Sequence, residues 1–121
     1  MIFNEETPFD IAAALKTSSR HRAVFEFYRV MANYGQLFTN TAMLQTLVLM
    51  SPEWYEVKLH HAGGDSKLAI KKMGHDVTRI LSPSSKNTKL PFKAFEVIGV
   101  GKGEMRRYLV KVKQGFDLSM V

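Results

Sequence analysis

The chain contains no cysteine, and that absence alone excludes a disulfide framework, thiol catalysis and every cysteine-ligated zinc site. It fits a reducing compartment. Long apolar runs are missing too: the longest, "LQTLVLM", is far shorter than the ~20 residues that cross a bilayer. The opening "MIFNEETPFD" has two glutamates where a signal peptide would carry lysine or arginine. A soluble, cytoplasmic protein without membrane contact is expected. The sequence also lacks repeats, low-complexity tracts and dividing linkers, and 121 residues suffice for one compact core but not for two ordinary domains. One domain is expected, with 1–19 as an N-terminal extension or short helix, 20–112 as the core and 113–121 as a tail.

Acid is scarce where base is plentiful. The net charge is +6, but residues 1–64 hold five Lys/Arg against six acids, while residues 65–121 hold twelve against five. The whole basic excess therefore lies in the C-terminal half. Such asymmetry is the electrostatic footprint of a nucleic-acid or other polyanion binder.

The apolar pattern locates the elements. Thr7-Pro8 supplies a capping residue and a first-turn proline for a short helix through "FDIAAALK". From Arg20, helical spacing aligns Val24, Phe27, Tyr28, Met31 and Tyr34 on one side and Glu26, Arg29 and Asn33 on the other, until Gly35 ends the helix. A second long helix starts after Thr39 or Asn40, carries Met43, Leu44, Leu47 and Val48 on one stripe, and stops before Ser51-Pro52. In "EWYEVKLHHAGG" the alternation from Trp54 to Leu59 reads as a strand or a loop, closed by Gly63-Gly64.

The most informative stretch is "SKLAIKKMGHDVTRIL". At 100° per residue, Ala69, Ile70, Met73, Val77, Ile80 and Leu81 share one arc, and Lys67, Lys71, Lys72, His75, Thr78 and Arg79 share the other. A two-faced helix, apolar on one side and basic on the other, is predicted. Gly74 sits in its middle at a cost of about 1 kcal/mol relative to alanine, so either a close backbone approach compensates or the helix breaks. After the polar loop "SPSSKNTKLP", Phe92 to Val112 reads as two strands joined by a glycine-rich turn. Phe95 and Val97, or Ile98 and Val100, supply the inward face of the first strand; Tyr108, Val110 and Val112 supply that of the second.

The resulting fold class is α+β, with three main helices followed by a C-terminal β-hairpin. "GQLFTNTAMLQTLVLM" looks like a short strand, cap and positioning helix; "HHAGGDSKLAIKKMGHDVTRIL" looks like a long loop and recognition helix; "FEVIGVGKGEMRRYLVKV" looks like a wing. On these segments the last 90 or so residues resemble the winged helix-turn-helix effector domain of OmpR/PhoB-type response regulators, without a receiver domain. The resemblance implies a transcriptional regulator that binds double-stranded DNA, with a helix in the major groove and a hairpin beside it. It places Lys67, Lys71, Lys72, His75, Thr78 and Arg79 on the reading helix, and Lys102, Arg106 and Arg107 on the wing. Lysines grip phosphates, whereas Arg79, Thr78 and His75 carry groups suited to base edges. In these regulators the loop before the recognition helix can contact RNA polymerase, which gives Trp54 and Tyr55 a use. DNA half-sites one helical turn apart would imply a homodimer.

Catalytic readings fare worse on the same residues. "GVGKGE" lacks the G-x-x-x-x-G-K-[ST] spacing and the magnesium-binding hydroxyl of a phosphate loop, and no helix follows it. His60-His61 with Asp65, and His75-Asp76, lack the helical spacing of metal-ligand pairs. Glu53 with Glu56 fits a surface loop, and Ser18-Ser19 fits helix capping. No catalytic residue, metal or cofactor is expected, and the protein is read as a non-enzyme. The alternative is a small interaction protein that binds and modulates a polymerase or nuclease, anchored by exposed Trp54 and Tyr55.

Overall fold

The computed structural model describes residues 7–82 and 90–118. The loop expected at 82–91 falls largely outside the described residues. Among those described, five helices precede a two-stranded antiparallel hairpin, an α+β arrangement: α1 (Pro8–Ala13), α2 (Arg20–Tyr34), α3 (Asn40–Met50), α4 (Pro52–His61), α5 (Ser66–Leu81), β1 (Phe95–Val100) and β2 (Arg107–Val112). None of the helices is long and apolar enough to cross a membrane.

Caps set most of the boundaries. Thr7 accepts from the Asp10 amide while Asp10 reaches back to the Thr7 amide, a reciprocal pair that starts α1 with Pro8 in its first turn. Ser19, Thr39 and Asp65 cap α2, α3 and α5 by accepting from the amides of Arg22, Ala42 and Leu68. Helix α2 stops at Gly35, whose φ of 60° is left-handed.

Helix α2 is the centre of the core, and its burial exceeds the single stripe read from the sequence. Phe25 and Val30 are buried together with Val24, Phe27, Tyr28 and Met31. The physical reason is the hairpin: Phe25 packs at 5.6 Å against Phe92 and at 5.2 Å against Phe95, covering the side expected to be polar. Glu26, placed on the solvent side by its spacing, is buried and answered by Arg22 and Arg29. Tyr34, assigned to the apolar stripe, is instead exposed at the end of the helix.

The expectation of a strand or loop from Trp54 to Leu59 is overturned, which also raises the number of main helices from three to four. Pro52 opens α4, Glu53 lies in its first turn, and Lys58, His60 and His61 lie in its last, an order that suits the helix dipole. Only Ser51 separates α3 from α4, and Ala62 to Asp65 separate α4 from α5. Helix α5 runs unbroken through Gly74.

In the hairpin, Phe95 pairs with Val112, Val97 with Val110 and Gly99 with Tyr108. This register sets Phe95 and Val97 on the face of Tyr108 and Val110, with Ile98 and Val100 on the other; on the first face Phe95 and Val110 are buried, whereas Val97 and Val112, expected to point inward, are exposed beyond the edge of the core. An isolated bridge between Phe38 and Tyr108 ties the α2–α3 connection to β2 through N–H···O bonds of 3.0 and 2.8 Å.

Candidate nucleic-acid interface

Helix α5 carries the largest set of candidate residues, and its two faces separate as the periodicity predicts. Ala69, Met73, Val77 and Ile80 are buried against the rest of the protein. Lys67, Lys71, His75, Thr78 and Arg79 are exposed, and Lys72 is half-buried at the edge of the outer arc. The helix has one acid, Asp76, and it is 5% exposed on the inner side. Its outer arc therefore presents four cationic side chains and no carboxylate.

Asp76 is the residue that sequence reasoning missed. Its carboxylate accepts from the Lys58 ammonium at 2.9 Å and from the Trp54 indole N–H at 2.9 Å, and it pairs with Arg20 at 3.5 Å and Arg79 at 3.8 Å. Trp54 and Lys58 stand four residues apart on α4, so both reach the same point. Burial pushes the Asp76 carboxyl up, but the hydrogen bonds from Lys58 and Trp54 and the charges of Lys58 and Arg20 outweigh it and hold it below the usual carboxylate range. One anion thus gathers cations from α2, α4 and α5. The signal was present in the spacing: Asp76 falls three residues after Met73 and four before Ile80, inside the buried arc, where a charge requires partners.

The same geometry corrects the role given to Trp54. At 5% exposure, with its indole N–H spent on Asp76, it is a core residue rather than an exposed anchor. Tyr55 is half-buried and packs against the core.

On the hairpin, Lys102 and Arg106 are exposed and Arg107 is half-buried. Gly101 makes the turn possible, with φ at +85° and a carbonyl, that of Met105, only 3.0 Å from where a Cβ would sit. The two arginines differ. Arg106 folds back over the Tyr108 ring at 5.5 Å and occupies the space that a side chain at Gly99 would need. Arg107 belongs to the opposite face, paired with Val100 and making long contacts of 3.5 and 3.4 Å to the Glu104 and Arg106 carbonyls.

A groove of about 600 Å³ lies between α5 and the hairpin. Lys71, Gly74, His75 and Thr78 form one wall, and Val97 and Tyr108 form the other. The structure thus brings Lys71, His75 and Thr78 to a groove bounded by Tyr108, which carries Arg106. Arg79 belongs to the other edge of α5, beside Asp76, and Lys102 and Arg107 to the hairpin end and outer face. The Thr78 hydroxyl donates to the Gly74 carbonyl at 3.1 Å, which leaves its oxygen free to accept. Among the described residues no group of three or more His, Asp or Glu side chains could hold a metal ion. Comparison with protein-family models, with curated proteins and with solved structures found no match.

Proposed function

We propose that the protein is a double-stranded DNA-binding protein, a small transcriptional regulator of winged helix-turn-helix type. The observation that carries this reading is the outer arc of α5: Lys67, Lys71, Lys72 and Arg79 face outward with no acid among them, because Asp76 is turned inward. A lysine-rich helix face free of carboxylates gains affinity for a phosphate backbone by releasing its counterions. The four-residue connection from α4 to α5 matches a helix-turn-helix unit, which makes α4 the partner of the reading helix in place of α3. The Phe38–Tyr108 bridge supports the hairpin as a wing, since it gives the hairpin a third, minimal strand between α2 and α3.

Roles follow from position. Lys67, Lys71 and Lys72 grip phosphates; His75 and Thr78 stand toward base edges; Arg79 keeps its side chain 80% exposed although Asp76 is near. Lys102 and Arg107 extend the interface along the flanking backbone. The interaction reading loses its anchor with the burial of Trp54.

Fluorescence anisotropy with a random-sequence duplex tests the proposal. Binding is expected to weaken linearly on a log–log plot against salt. Replacing Lys71, Lys72 and Arg79 together by alanine should lower the magnitude of that slope by about three, at roughly 0.9 for each phosphate no longer neutralised. Absence of binding at low salt overturns the reading. Selection on genomic fragments then gives the site, and two half-sites about one turn apart would make the protein a dimer on DNA.

A further inference from the structure

The groove between α5 and the hairpin has its own chemistry. Its volume of about 600 Å³ falls in the range of small-molecule sites, roughly 300 to 1,000 Å³. It stays open because β2 packs on α2 while α5 packs mainly on α4, so the two walls do not close on each other. Gly74 contributes to the opening by presenting no side chain on the helix wall.

The base is aromatic and the rim carries a lysine and a histidine. Tyr28, Phe38 and Phe95 are buried and line the groove with half-buried Phe92, whereas Lys71 and His75 stand exposed on the α5 side. No carboxylate lines the groove among the described residues. Tyr28 is 4% exposed as a residue and lines the groove, so its phenol belongs to the wall that a ligand would meet. Burial, with the neighbouring Tyr108, pushes its pKa up to about 12, so it remains a protonated donor at every physiological pH.

We infer that this groove is a binding site for a small amphipathic anion: a flat apolar body seated on the aromatic base, with one carboxylate- or sulfonate-like group held between Lys71, His75 and the Tyr28 hydroxyl. The apolar body gains from leaving water, and the charged head finds donors without an opposing acid. The inference goes beyond DNA binding and does not depend on it.

Two fluorescent probes of nearly the same shape separate the contributions in the full chain, with no DNA present. 8-Anilinonaphthalene-1-sulfonate carries the anion, and N-phenyl-1-naphthylamine keeps the aromatic body without it. The sulfonate is expected to bind saturably at one site per chain and about tenfold tighter than the uncharged dye, the size of one charge-assisted hydrogen bond. The double variant Lys71→Gln/His75→Gln, altered only at exposed positions, should erase that preference and leave affinity for the uncharged dye unchanged. Tyr28→Phe removes only the hydroxyl and should weaken sulfonate binding severalfold. Val97→Trp, on the opposite wall, should block both dyes while circular dichroism reports an unchanged fold. Non-saturating fluorescence, equal affinity for the two dyes, or undiminished sulfonate binding in Val97→Trp overturns the inference.

Discussion

Asp76 is a single carboxylate on which three helices depend. Lys58 is only 15% exposed in its side chain, so removing its counter-charge leaves a cation poorly placed to reach water, whereas Arg20 and Arg79 are open to solvent. Asp76→Asn should therefore cost about 2–3 kcal/mol in urea denaturation at neutral pH, the scale of one hydrogen bond to a charged group. The pH dependence follows from the lowered pKa of Asp76. A carboxyl held below its unfolded value of about 3.9 contributes stability that is complete above that value and lost as pH falls through the folded one. The melting temperature of the native chain is accordingly expected to drop on acidification below about pH 5, and that of Asp76→Asn to drop less over the same interval. Parallel acid limbs in the two proteins would show that Asp76 is not the group responsible.

Helix α5 shows where residue-level cost and element-level geometry part. The sequence predicts that Gly74 either breaks the helix or answers a close backbone approach, and it does neither. A Cβ at this position would meet the Leu44 methyl groups at 3.7 and 4.0 Å, ordinary packing distances. Gly74→Ala should thus stabilise the protein by up to about 1 kcal/mol, because alanine restricts the unfolded backbone and favours the helix. Thermal unfolding decides it, and a destabilised variant would reveal a crowding that these distances do not contain.

The elements differ in how openly the sequence declares them. Helix α5 was legible because Ala69, Met73, Val77 and Ile80 repeat at helical spacing against a charged outer side. The hairpin was legible through its glycines and alternation, although its inward face stayed ambiguous until the pairing of Val97 with Val110 resolved it. Helix α4 was not legible. Tyr55, Val57 and Leu59 alternate with Glu56 and Lys58 in a strand-like way, and Trp54 is the one side chain of the helix that is fully buried. A helix lying on the outside of a core needs little apolar area, so it leaves a faint stripe; its place is fixed by tertiary contacts to α5 through Asp76. The groove was equally hidden, since Tyr28, Gly74 and Tyr108 come together only through long-range packing.

At the scale of the whole molecule, the described basic residues of the C-terminal half include two separate groups at the surface: the outer arc of α5, and the hairpin with Lys102 and Arg107. If both grip one duplex, as proposed, each contributes its own counterion release, and the contributions add because the side chains share no partner. Lys102→Ala with Arg107→Ala should lower the salt slope by about two, against about three for the α5 triple variant. The variant carrying all five changes should then lower it by about five, with its loss of binding free energy equal to the sum of the separate losses within a few tenths of a kcal/mol. Neither Lys102 nor Arg107 is buried, so the comparison carries little penalty in folding, which a melting curve verifies for each protein. A hairpin variant that binds like the native chain would confine the DNA interface to α5. A quintuple variant no weaker than the triple would say the same, and the hairpin would then be a structural cover for Phe25 and Tyr28 rather than part of that interface.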